Sequence, residues 1–158
     1  MKAFTCKSEH VYHAIRLERG DDLLESFNSF LREKNIKDGA VVSGIGTLDQ
    51  CCMHFVTVVN DASQMEFKKW NNVPLEIAGI SGIVAGGEAH LHMVISNTDR
   101  AWAGHVEPGC RILYLGEILF MEIPGFNLSR ERKVLDETHP DYYIKNLVQK
   151  GSGGPDTQ

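Results

Sequence analysis

No stretch of the 158 residues approaches the roughly 18 consecutive apolar residues of a membrane-spanning helix. The first ten residues, MKAFTCKSEH, also lack the apolar core of a secretory signal. Cysteine is scarce, at positions 6, 51, 52 and 110 only. Neighbours such as Cys51 and Cys52 on one strand point to opposite faces, which suits neither a mutual disulfide nor a shared metal. Reduced thiols and a cytoplasmic location are therefore expected, with one of that pair as buried filler. Positive charge is in deficit too: 16 Lys and Arg against 21 Asp and Glu give a net charge of −5. Such a chain repels a phosphate backbone on average, and binding DNA would require a strong local basic patch. Lys68-Lys69 and the cluster from Arg130 to Lys133 are too short for that and read as solvated faces. A nucleotide-binding glycine motif is also missing, because SGIGTL lacks the GxGxxG spacing. Gly44 and Gly46 are better explained by close strand packing.

The chain does contain enough residues for one hydrophobic core and too few for two comfortable ones. VYHAIRLE (11–18) alternates with the period of a strand, Val11, His13, Ile15 and Leu17 sharing one face. Gly20-Asp21-Asp22 then opens LLESFNSFLREKN, where Leu23, Leu24, Phe27, Phe30 and Leu31 recur at helical spacing. AVVSGIGTL and QCCMHFVTVV predict two strands, and the polar SQMEFKKWNN between them and the next strand predicts a loop. From Pro74 strands follow one another, with turns at Pro108-Gly109 and Pro124-Gly125. A short helix capped by Ser129 is expected over 129–136, and the glycine-rich 151–158 is expected to be a flexible tail. The predicted fold class is α+β: one domain over 1–150, mainly antiparallel sheet flanked by a few helices.

Three of the seven histidines lie within EAHLHMVISNTDRAWAGH, at 90, 92 and 105. On a strand, His90 and His92 share a face, while Leu91, Met93 and Ile95 face the core. If Thr98-Asp99 is a two-residue hairpin loop, paired positions sum to 197, which sets His105 directly opposite His92. A bulge at Gly104 would shift that register. Three neutral imidazoles suit a divalent ion, zinc by default, and three protein ligands leave a position open for substrate. Solvent-facing histidines without a ligand role are the competing explanation. His10, His13, His54 and His139 have no comparable spacing and are assigned structural roles.

The segments RLERGDDL, VVSGIGTL and HLHMVIS…GHVEPGC…GE resemble the plants-and-prokaryotes-conserved (PPC) domain, over roughly Arg16 to Phe126. That resemblance implies a sheet flanked by helices, a homotrimer, and the histidine trio as the metal site of prokaryotic members. Family members often carry a DNA-binding label, because in plants the domain follows a basic AT-hook, and no such segment occurs in this chain. The implied fold is also similar to acetolactate decarboxylase, which carries three histidines on zinc. The expectations are thus a zinc site of His90, His92 and His105 that binds or transforms a small carboxylate or carbonyl compound, by lyase or hydrolase chemistry if it is an enzyme. A DNA-associated regulator and a non-catalytic metabolite or metal sensor are the alternatives. Glu117, in YLGEILF, is the first candidate for a proton-transferring carboxylate, since Leu115 and Leu119 beside it would raise its pKa. Its other reading is an inert glutamate at the sheet rim. Glu88 shares the histidines' face at an exposed strand start, and Arg111 is a candidate to attract an anionic substrate.

Overall fold

The computed structural model describes residues 2–7, 9–59, 61 and 64–151. The expected tail therefore lies outside the described residues, apart from Gly151. Among the described residues eight strands and one helix follow one another as β1 (Val11–Glu18), α1 (Leu23–Glu33), β2 (Gly39–Val56), β3 (Met65–Ala85), β4 (Glu88–Ser96), β5 (Ala101–Val106), β6 (Arg111–Glu122), β7 (Leu128–Val134) and β8 (Tyr143–Gln149). Six strands form one antiparallel sheet in the order β1-β6-β2-β3-β4-β5. The far end of β2 also pairs with β5, so that β2, β3, β4 and β5 close on themselves around a small barrel.

The helix forms where its apolar spacing places it. Asp22 caps it, accepting the Glu25 N–H at 3.0 Å, and its second carboxylate oxygen accepts the Gly109 N–H at 2.8 Å. One acid thus serves both an orphan helix donor and the Pro108-Gly109 turn. Leu23, Phe27 and Leu31 are fully buried, and Phe27 meets Phe120 of β6 edge-on at 5.4 Å. On β1, burial deepens toward Leu17, and His13 is tied to Glu122 at 2.9 Å in the structural role assigned to it.

Three expectations are corrected. AVVSGIGTL and QCCMHFVTVV are one bent 18-residue strand; its ladders carry register breaks around Leu48 and Gln50 where the sheet turns into the barrel. The predicted loop SQMEFKKWNN is mostly strand: residues from Met65 onward pair with β2 as the first third of β3. No alternation betrays it, because Met65, Phe67 and Lys69 are exposed on one side, Glu66 on the other, and only Trp70 is buried there. The predicted helix over 129–136 is β7, whose partner β8 begins nine residues after β7 ends. Its capping serine and charges imitate a helix start, but Arg132 stacks on Tyr143 across the hairpin at 4.3 Å.

Both Cys51 and Cys52 are buried, so neither is surface-facing. The barrel interior takes Cys51, whose sulfur lies 3.8 Å from that of Cys110, while the turn at Gly109 covers Cys52. Gly44 and Gly46 do serve close packing: a Cβ on Gly44 would sit 2.8 Å from Ile80, and one on Gly46 2.4 Å from the Leu115 carbonyl. No helix is long and apolar enough to cross a membrane among the described residues.

Candidate metal centre

The hairpin β4–β5 closes on the predicted turn. Asn97 accepts the N–H groups of Asp99 and Arg100 through its side-chain oxygen at 2.9 and 3.0 Å, and its own N–H reaches the Arg100 carbonyl at 3.0 Å. With that turn fixed, Ser96 pairs with Ala101 and His92 with His105, and Gly104 carries no bulge. Leu91, Met93 and Ile95 fill the barrel with at most 1% exposure, so the histidines must lie on the opposite face.

The three rings converge there. Ring centroids are 5.3 Å apart for His90 and His92, 4.8 Å for His90 and His105, and 5.3 Å for His92 and His105. One nitrogen from each ring lies within 4.8 Å of the other two. The Nε2 atoms of His90 and His92 are 3.3 Å apart, the separation two nitrogens take on a tetrahedral ion with bonds of about 2.0–2.1 Å. Burial pushes the His105 pKa down to about 4, helped by His54 and His90 and opposed by Glu107. Burial also lowers that of His90, with the nearby Arg130 charge as the next cause. Both shifts favour the uncharged ring, the state in which imidazole ligates a metal.

Two residues outside the expected trio belong to the same surface. His54, assigned a structural role, is brought by the β2–β5 pairing directly opposite His105, with ring centroids 4.3 Å apart. Glu107 accepts from or shares a proton with His54 Nδ1 at 2.6 Å and lies 3.9 Å from His105 Nε2. His54, His105 and Glu107 thus make a second group able to hold an ion, sharing one ligand with the first. Glu107 was within reach of the sequence, because it stands two residues beyond His105 on the same strand direction. His54 was not, since its position depends on how a long strand bends.

The remaining candidates lie elsewhere. Glu117 pairs with Arg16 of β1 and Ile45 of β2, and lines a separate hollow of about 350 Å³ with Ser43 and Ala14. None of the three histidines lines that hollow. Leu115 and Leu119, which suggested a shielded carboxylate, are themselves 41% and 37% exposed. Arg111 is held by both oxygens of Asp49 at 2.8 and 2.9 Å, and that bond keeps the Asp49 carboxyl below the usual range. Its charge is already matched. Glu88 is exposed at the start of β4 and forms an ion pair with Lys145 of β8. A cleft of about 500 Å³ opens over His54, His90 and His105, walled by Arg130, Tyr143 and Lys145 of the β7–β8 hairpin.

The model of the Plants and Prokaryotes Conserved (PCC) domain, the family also abbreviated PPC, matches residues 5–124. The chain belongs to the PCC family. A curated relative, the bifunctional protein GlmU of Synechococcus sp. strain JA-3-3Ab, is 29% identical over 120 residues, covering 75% of this chain and 18% of that protein. The chain spans about a fifth of the length of the curated relatives it matches. The metal-containing protein AF0104 of Archaeoglobus fulgidus has a similar fold, with a TM-score of 0.73 and 23% identity over 92% of this chain and 99% of that one. A Bacteroides thetaiotaomicron protein provisionally named as DNA-binding has a TM-score of 0.71 and 20% identity, covering 87% of this chain and 91% of that one. These likenesses establish the fold of this PCC domain. The β7–β8 hairpin lies beyond the part that the family model matches.

Proposed function

We propose that this PCC domain binds one zinc-like ion through His90, His92 and His105 and uses it to hold a small carboxylate- or carbonyl-containing molecule. The single observation that carries this reading is the convergence of three imidazole nitrogens within 4.8 Å on the sheet face away from the barrel core, beside a cleft. The donor set fits a borderline ion such as zinc, and three protein ligands leave room for an exogenous oxygen. When bound, such an ion supplies Lewis acidity toward a carbonyl or carboxylate oxygen. The chain's own residues then do the rest: the hairpin turn fixes the ring spacing, the barrel core keeps the strands from shifting, and the β7–β8 hairpin limits access of water. The metal-containing name of the Archaeoglobus relative supports the same reading.

Protein stripped with a chelator and dialysed against zinc is expected to take up one ion per chain and to melt at a higher temperature, as binding to the native state alone requires. Failure to take up zinc, cobalt or nickel would remove the metal from the account. A catalytic role beyond binding, of lyase or hydrolase type, would require a proton-transferring group near the ion; His54, with its ring 4.3 Å from that of His105, is a nearer candidate than Glu117 in its separate hollow.

The DNA-associated reading has the Bacteroides name behind it, but a net charge of −5 works against it. Titration of a labelled duplex at two salt concentrations separates the two, because phosphate contacts weaken steeply with salt. We also propose a homotrimer. Ile45, Leu115 and Leu119 expose apolar surface around Glu117 on the outer sheet face, and light scattering in solution measures the mass directly.

A further inference from the structure

The β7–β8 hairpin contributes something the three histidines cannot. It follows the last residue matched by the family model, residue 124, and folds back so that Arg130 lines the cleft together with His54, His90 and His105. The Nε atom of Arg130 is buried and finds no hydrogen-bond partner among the described residues. One terminal nitrogen reaches the Ile83 carbonyl at 3.5 Å, the outer limit of a hydrogen bond. A buried guanidinium donor without an acceptor is costly, and such groups are normally satisfied. Two other cations of the hairpin are engaged: Lys145 with Glu88, and Arg132 with the Pro140 carbonyl and the Tyr143 ring. Asp141, the other acid at the cleft, has a fully exposed side chain and lies 3.8 Å from Arg132. Among the described residues no carboxylate forms an ion pair with Arg130.

We propose that Arg130 is the anchor for a carboxylate group of a small dicarboxylate or oxo acid whose second oxygen donor reaches toward the histidine trio. The proposal rests on the metal reading only for that second contact. A guanidinium presents parallel N–H groups matched to the two oxygens of a carboxylate, and a small shift of the Arg130 side chain into the cleft would add its partnerless Nε–H to that fork. The opening is large enough for such a molecule. Tyr143 and Ile144 give it an apolar wall, Lys145 neutralises Glu88, and Asp141 is turned to solvent beside Arg132.

Isothermal titration with malonate and with succinate tests this, with inorganic phosphate as a third arm. Zinc-loaded protein is expected to bind one of the two dicarboxylates at one per chain. The variant R130Q should weaken that binding tenfold or more while keeping its zinc and its melting temperature. R130K, which retains charge but not the fork, should fall between the two. In zinc-free H90A/H92A protein, binding should be weaker yet still lost on adding R130Q; that result would keep the anchor even if the wild type held no metal. The proposal is overturned if neither dicarboxylate binds, if R130Q and R130K both bind within twofold of wild type, or if both lose zinc. Phosphate binding as tightly as the dicarboxylates, with equal dependence on Arg130, would overturn the carboxylate assignment.

Discussion

Replacing His90 and His92 together by alanine is expected to lower bound zinc from about one ion per chain to less than about a tenth of that. Each imidazole supplies one of only three protein bonds, and a site left with one ligand holds zinc no better than the unfolded chain does. His105→Ala should do the same. The informative contrast is His54→Ala. Its ring is 4.3 Å from that of His105 but belongs to the second group, with Glu107. Retained zinc in His54→Ala and Glu107→Gln, measured by elemental analysis beside H90A/H92A, assigns the ion to the trio. Zinc lost in those two variants and kept in H90A/H92A would move the ion to His54, His105 and Glu107. The hairpin turn and the barrel core are untouched by these changes, so circular dichroism should be unaltered throughout.

The second large effect is in the core. Phe120 has no exposed surface, packs edge-on against Phe27 at 5.4 Å, and lies so close over Gly39 that a Cβ there would come within 2.3 Å of its ring. Phe120→Ala leaves a cavity between the helix and the sheet that neither can readily collapse into. The expected loss is about 3–5 kcal/mol, seen as a fall in melting temperature on the order of 10 °C for a chain of this length. Phe120→Leu should cost clearly less, because most of the volume is kept. A loss below about 1 kcal/mol for the alanine variant would mean that α1 is not clamped to β6 as described.

What could be read from the residues follows the range of the interactions involved. The helix is legible in the spacing of Leu23, Phe27 and Leu31 and in the Asp22 cap, all within a dozen positions. The hairpin register is legible because a two-residue loop and the alternation of Leu91, Met93 and Ile95 leave little freedom. His54 was hidden because a ladder between positions 54 and 105 depends on how β2 bends after its register breaks. β7 was hidden for a more local reason: Ser129 and the charges that follow carry a helix signature, and pairing with β8 in a hairpin overrides it. The shielding expected around Glu117 is not there, because apolar neighbours on a strand imply burial only when something covers them, and Leu115 and Leu119 are partly exposed. Arg130 looked like part of a solvated charge cluster until the hairpin carried it to the cleft.

X-ray absorption at the metal edge of zinc-loaded protein puts the coordination sphere itself on view. The expected spectrum has three imidazole nitrogens at about 2.0–2.1 Å and one or two further light scatterers from non-protein oxygen. A sphere of four protein ligands, or sulfur at about 2.3 Å, would mean a closed or cysteine-bound ion and would contradict an open three-histidine centre.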